Sequence, residues 1–420
     1  MSRHLSGRID LFLVIAIAIL IISPLVINLS LKLIPDVKRV NLFLSPRFEE
    51  LFGREMTEAL LLEFKERNPD LVIHLQSIQG SPDGAPAPDI LIFDEGEFSA
   101  LAAAGLLANL GLYADYKTDG EEEPVRPTAA DTRIAVPLVT FMDLLFYNID
   151  ILSDAGFDRP PKTREEFIAC AAAVSGENAA GAALSLSPED RQALSRDVFS
   201  WIWAAGRNFR PAEDPSQSPA VNNRAIIGDI NFLGSLNRDH LLAPRIFETT
   251  GDQRLEEFAE GKAAMIIAST SAIPYLREKM GDSAFGITTI PVSSAAGKYS
   301  ICLSGIYAGI NANSEHPAEA WSFLSFLAEK SPLFCAKFMA VPGMVSDLIP
   351  GDYVKDDPFY TKAWDIFESS GIVQGFLGKP GAEEYEGAFL EELKIFFETG
   401  RTAQETAAAI QRRWDSVTAP

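Results

Sequence analysis

The chain has 420 residues, with 36 Lys or Arg against 58 Asp or Glu, a formal net charge of −22. Hydrophobic residues make up 47% and charged residues 22%, which excludes wholesale disorder and suits two or three domains with their own cores. The acidity excludes nucleic acid as a partner, because phosphate backbones are met by basic stripes.

The N-terminus differs from the rest. Residues 1–32 carry Arg3, Arg8 and Lys32 against Asp10, a net of 3 − 1 = +2, and Leu11 to Leu31 holds no charge. As a helix this run spans about 31 Å, the thickness of a bilayer core. Arg3 and Arg8 on its short side predict a cytoplasmic N-terminus with residues from about 33 exported. No small-x-small cleavage site closes the run, and the first cysteine is Cys170, so residues 1–35 read first as an uncleaved signal anchor, with a signal peptide cut at an unrecognised site as the alternative. Cys170, Cys302 and Cys335 are few and widely spaced, which predicts free thiols rather than a disulfide framework.

The exported part alternates strands with helices. Residues 37–44 read as a strand, 49–67 as an amphipathic helix stopped by Asn68-Pro69, and 71–75 as a second strand. Ser81 to Pro88 is a loop by composition, and Asp89 to Phe93 a buried strand followed by a helix ending at Gly105. Asp119 to Pro127 reads as a solvated loop, and Ile134 to Tyr147 as strand around Pro137. Thr163 and Glu166 form a predicted capping box. Ser187-Pro188-Glu189-Asp190 reads as another helix start, and 211–220 as a surface loop. Helices follow at 316–330 and 383–398, and Thr402 with Glu405 caps the last, which runs through Trp414. The alternation predicts an α/β architecture.

Motifs for chemistry are scarce. The four histidines form no i, i+3 or i, i+4 pair, and no GxSxG, GxGxxG or GxxxxGK[ST] segment occurs. Carboxylates do gather at strand ends: Asp94, Glu95 and Glu97 follow Phe93, and Asp143 follows Pro137. Open α/β sheets bind ligands there. Such acids serve as acid/base pairs, as acceptors for hydroxyls or amines, or as plain surface charge. The aromatic residues Phe93, Phe141, Trp201, Trp203, Tyr275 and Tyr385 fall near segment ends, where an aromatic face could stack on a sugar ring.

Several stretches in order resemble the extracellular solute-binding proteins of ATP-driven (ABC) importers, family 1, which includes maltose-binding and other sugar-binding proteins. They are Phe64 to Asp70 with its Pro69 turn, Pro88-Asp89-Ile90-Leu91 with Gly105-Leu106-Leu107, and Phe146-Tyr147-Asn148-Ile149-Asp150. Pro161 to Phe167, Phe258 to Met265, Gly286 to Pro291 and Pro317 to Trp321 continue the series. The resemblance implies a two-lobed clamshell of the type II periplasmic-binding-protein fold with three interlobe crossings. These are expected near 147–150, 298–302 and 328–331. It puts residues 36–147 with 299–330 in the first lobe and 148–298 with 331–420 in the second.

It further implies a small solute, a sugar or oligosaccharide, bound between the lobes and delivered to an ABC permease. The expected protein is a monomer without cofactor, metal or catalysis, anchored in the cytoplasmic membrane of a bacterial envelope with its binding part outside. Carried over by position, the ligand contacts are Ser45, Arg47, Phe93, Asp94, Glu95, Glu97, Phe141, Asp143, Asp197, Trp201 and Tyr385. Where relatives have Gly-x-Trp after the F-x-x-G-k-a-A-M piece, this chain has Ser269-Thr270-Ser271, so Ser271 and Tyr275 are taken in its place. The competing readings are an anchored ligand-sensing domain without transport and a glycosidase using cleft carboxylates.

Overall fold

The computed structural model describes residues 37–76, 87–113, 134–176, 179–190, 192–209, 219–293, 299–341, 356–373, 375 and 381–417. The predicted membrane helix and the 119–127 loop lie outside the described residues, as do most of the 81–88 and 211–220 loops. Among the described residues no helix is long and apolar enough to cross a membrane.

The chain opens with β1 (Lys38–Leu44), α1 (Pro46–Arg67), β2 (Leu71–Gln76), β3 (Ile90–Asp94) and α2 (Glu95–Ala103). β1 pairs in parallel with β2 and β3. Ser45 closes the first turn of α1 by accepting from the Phe48 amide at 3.2 Å, with Pro46 at the first helical position. Gly53, at φ 69°, kinks α1, and the helix begins at Pro46, three residues before the predicted start. Gly105 ends α2 in the left-handed conformation, as its position predicts.

Two long strands organise everything else. β4 (Val136–Asn148) and β7 (Ser300–Ile310) run antiparallel, from Val136 opposite Ala308 to Met142 opposite Leu303. β7 also pairs with β3 and so joins the first sheet. Beyond Met142, β4 changes partners. Asp143 to Tyr147 pair with β5 (Met265–Ser269), and Leu145 to Asn148 with β6 (Phe285–Thr288). At the same level β7 turns to β8 (Gly371–Val373) through Ser300 to Cys302. The changeover on β4 thus falls at Met142/Asp143, ahead of the 147–150 crossing expected from sequence.

Separate cores lie on the two sides of this changeover. The first packs β1, β3 and the outer halves of β4 and β7 against α1, α7 (Pro317–Glu329) and α8 (Ser331–Phe338), through Phe48, Phe64, Phe141, Phe323 and Phe334. α8 belongs to this first core, whereas the sequence assignment puts residues 331–420 in the second lobe. Beyond the changeover, β4 is covered on both faces. α3 (Arg164–Val174), α4 (Arg224–Arg238), α10 (Ala382–Thr399) and α11 (Ala403–Trp414) lie over Leu145, Trp201 and Trp414. α5 (Gly251–Ala259), α6 (Ile273–Met280) and α9 (Pro358–Ser369) lie over Leu144, Phe146 and Phe285. Strands covered on both faces read as unbroken apolar runs, as β3 and β4 do. All three cysteines are free, with Cys170 and Cys335 buried.

Two local expectations change. Thr163 accepts from the Glu166 amide, but the Glu166 carboxylate receives Arg159 and the Lys162 amide instead of closing the box. Ser187 to Asp190 forms a turn rather than a helix start, because Asp190 is drawn into tertiary hydrogen bonds.

One buried ion pair ties the second lobe together. Asp229 on α4 accepts from Arg164 at 2.6 Å and from Arg207 at 2.8 Å, and Arg164 also donates to the Trp201 carbonyl at 2.8 Å. Removing one partner of a buried pair strands the other charge without solvent. Asp229→Ala is expected to destabilise the protein by about 3–5 kcal/mol, as read by urea unfolding. A loss no larger than that of an exposed-site control overturns this.

Candidate functional site

Phe141, Asp143 and Leu145 point to the same face of β4. Phe141 packs into the first core and Leu145 into the second. Asp143 therefore sits on the floor between the lobes, half-buried, and its carboxylate accepts no hydrogen bond from a described residue. Burial is the main cause that pushes its carboxyl up to about 6, outweighing Arg196 and Arg47, which pull it down. Ser269 is its cross-strand partner, and the Ser269 hydroxyl accepts from the amide and hydroxyl of Ser271 at 3.2 and 2.9 Å. Ser271 thus reaches the rim of the floor. Tyr275 packs instead against the core on the opposite face of β4, beneath Lys279.

The first-lobe wall consists of two helix starts. Arg47, in the first turn of α1, contacts Glu95, in the first turn of α2, at 3.2 Å. The other Glu95 oxygen accepts from the Gly305 amide of β7 at 3.1 Å. Arg47 also lies over the Phe141 ring at 6.0 Å. Asp94 and Glu97 have a structural duty: Asp94 accepts from the Gly96 and Glu97 amides at 2.8 and 3.1 Å, and Glu97 accepts from the Asp94 amide at 3.2 Å. Ser45 is likewise a buried helix cap.

The second-lobe wall is the π-helical turn Ser195–Phe199. Such turns recur at functional sites. Arg196 contacts Asp190 at 3.0 Å and Asp197 at 3.1 Å. Asp197 also accepts from the Ser185 amide at 2.6 Å, and Asp190 from the Gly251 amide at 2.7 Å. Burial alone would lower the Arg196 guanidinium, but Asp197 and Asp190 together raise it. Burial raises the Asp197 carboxyl despite Arg196. At Asp190, Arg196 and the two backbone donors overcome burial and hold the carboxyl low. Glu386 of α10 is pushed up to about 7, first by burial and then by Glu95 and Glu383, with Ser195 acting the other way. The walls meet where Gln192 of the second lobe donates to Glu95 of the first at 3.4 Å.

Arg47, Glu95, Asp143 and Asp197 therefore converge, with Ser271 at the edge. The expected stacking faces do not. Phe93 is fully buried between Phe98 and Tyr307, at 5.9 and 6.2 Å. Phe141 and Trp201 are fully buried, Trp201 edge-on to Phe167 at 5.0 Å. Tyr385 packs edge-on to Trp414 at 5.6 Å in the second core. Sequence reasoning missed Gln192, Asp190, Arg196 and Glu386. The adjacent charges of Arg196-Asp197, set in the apolar segment 193–206, were the available signal.

Two α/β lobes joined by continuous strands, with a charged recess at the join, define a two-lobed binding protein. The chain belongs to the bacterial extracellular solute-binding protein family, whose model matches residues 48–332. Members of this family bind solutes and are not enzymes. A probable ABC transporter-binding protein of Deinococcus radiodurans is 23% identical over 252 residues, 58% of this chain and 59% of that protein. The matched stretch thus spans well under two thirds of that relative. In fold the chain is similar to the sugar-binding protein MalE of Xanthomonas citri, with TM-score 0.72, 16% identity, and 90% and 96% of the two chains covered. It is equally similar to an ABC transporter solute-binding protein of Thermotoga lettingae bound to α-D-tagatose, with TM-score 0.72, 18% identity, and 90% and 99% of the two chains covered.

Two measurements test the electrostatics. Asp143 is raised in the folded state, so the native protein holds its proton longer than the unfolded chain, and stability falls as pH rises from about 4 to about 6. Asp143→Asn is expected to gain roughly 2–3 kcal/mol at pH 7.5 and nothing at pH 3.5, as read by urea unfolding at the two pH values. An equal effect at both would sink the assignment. Asp94→Ala is expected to cost about 1 kcal/mol through the lost cap, with Asp94→Ser recovering most of it.

Proposed function

We propose that the recess between the lobes binds a small neutral or cationic solute, a carbohydrate in the first instance. The bound protein presents this solute to an ABC import permease on the outer face of the cytoplasmic membrane. Residues 11–31 would hold the chain there as a signal anchor, in keeping with their charge-free run. The observation that carries the reading is the meeting of Glu95 and Gln192 from opposite lobes beside the carboxylate of Asp143, which accepts no hydrogen bond from a described residue. A solute seated there would offer hydroxyl or ammonium donors to acceptors that the protein leaves open, and its contacts to both walls would favour the closed arrangement.

The charge balance supports the ligand class. Two guanidiniums, Arg47 and Arg196, stand among five carboxyls, Glu95, Asp143, Asp190, Asp197 and Glu386. Both cations are already paired, so an anionic group would enter an uncompensated negative field. The sugar-binding and tagatose-bound proteins of the same fold support carbohydrate as the class to try first.

The test is a thermal-shift screen of the full chain in detergent with neutral sugars, amino sugars and sugar phosphates. A ligand at about 100 times its Kd is expected to stabilise by about 2.7 kcal/mol. Sugar phosphates are expected to give no shift, and Asp143→Ala to weaken the best ligand at least about tenfold. Absence of a shift with every neutral and amino sugar overturns the carbohydrate reading.

A further inference from the structure

Glu95, in the first turn of α2, is held from two sides within its own lobe. One carboxylate oxygen takes Arg47 of α1 at 3.2 Å, and the other takes the Gly305 amide of β7 at 3.1 Å. The oxygen that takes Arg47 also accepts from the side-chain amide of Gln192 at 3.4 Å. That third donor comes from the second lobe, and it is fixed in place as well. The backbone amide of Gln192 donates to Asp190 at 3.1 Å, and its carbonyl accepts from the Arg196 amide at 2.9 Å. Asp190 is anchored in turn by the Gly251 amide at 2.7 Å and the Arg196 guanidinium at 3.0 Å. Each end of the bridge is thus positioned by its own lobe, so forming the bridge requires little further ordering. β4 and β7 join the lobes at any angle between them, whereas the Gln192–Glu95 bond exists only while the walls are together.

We propose that Gln192 is an interlobe latch, which holds a share of the empty protein closed by donating its side-chain amide to Glu95. The proposal rests on the preceding reading only in treating the lobes as able to part about β4 and β7. Both residues are half-buried, so opening hands each group to water and strands no charge. At 3.4 Å and partly solvated, the bond stands at the weak end of its kind. It therefore biases the balance between open and closed forms without locking it, by roughly three- to tenfold. A solute that binds the closed form meets that share ready made, and its apparent affinity rises with the closed fraction. Gln192 acts on binding through Glu95 and the lobe angle, as a positioning residue.

The experiment needs no ligand. Spin labels are placed at the exposed positions Glu50→Cys of α1 and Asp252→Cys of α5, one on each lobe, in a Cys302→Ser background of the full chain in detergent. Interlobe distances are then read by pulsed electron resonance. The parent is expected to show a short-distance population, and Gln192→Ala to lower the short-to-long ratio roughly three- to tenfold. Gln192→Asn keeps the amide but is one methylene shorter, and is expected to behave like Gln192→Ala. In a Glu95→Ala protein, Gln192→Ala is expected to change nothing further, because the pair is already broken. A parent without a short-distance population, or a ratio unchanged or raised in Gln192→Ala, overturns the proposal. So does an equal fall in the Glu95→Ala background, which would assign the effect to the fold and not to the pair. Failure of the sugar screen would leave this readout standing, so the two readings fail separately.

Discussion

The antiparallel pairing of β4 and β7 is the constraint on which the other features depend. Both strands pass without interruption from one lobe into the other, so the partner changes at Met142/Asp143 and Cys302/Leu303 set where the lobes meet. Gly305 shows how tight the pairing is. A Cβ built there would stand 2.5 Å from the Val139 carbonyl, so any side chain would push β7 away from β4. The same residue gives its amide to Glu95. Strand pairing and the first-lobe wall are thereby joined through one backbone group. Displacement of β7 would reach the recess directly.

That geometry accounts for the distribution of charge. A carboxylate on the floor of a recess loses water, and its cost is offset only when cations or donors point at it. Glu95, Asp190 and Asp197 each receive such partners, including a backbone amide in every case. Asp143 has Arg47 and Arg196 nearby, but both guanidiniums are committed elsewhere, and burial prevails. At Glu386 burial leads, Glu95 and Glu383 add to it, and the Ser195 hydroxyl acts against them. Burial raises Asp143 on the floor and Glu386 on the second-lobe wall, and it raises Asp197 as well in spite of its partners.

The order of strands and helices was legible because its signals are local. The Thr402 cap, the Gly105 stop and the apolar runs of β3 and β4 need only neighbouring residues to specify them. The site was half legible for the opposite reason. Position relative to a strand end located Arg47, Glu95 and Asp143, but not what each side chain does. Asp94 and Glu97 were indistinguishable from Glu95 in sequence, yet the helix start consumes the first two and leaves the third facing the recess. Ser187 to Asp190 carries every mark of a helix start, and tertiary donors from Arg196 and Gly251 override it. Gln192 and Glu386 lie 97 and 291 positions from Glu95, and only the packed lobes bring them near.

The loss of the aromatic residues to the cores changes what kind of recognition the recess can perform. Phe93, Phe141, Trp201 and Tyr385 all spend their faces on other side chains. Aromatic stacking on a sugar is tolerant, since it follows area and shape more than the placement of single hydroxyls. A recess built from fixed carboxylates, an amide and two paired guanidiniums discriminates differently. A ligand that lacks the matching donor leaves a half-buried acceptor without water or partner, and that penalty is larger than the loss of an apolar contact. With Asp143 held between two cores by Phe141 and Leu145, the acceptor cannot move to suit another ligand. Selectivity in such a site follows from the rigidity of β4 itself, the strand that also sets where the lobes join.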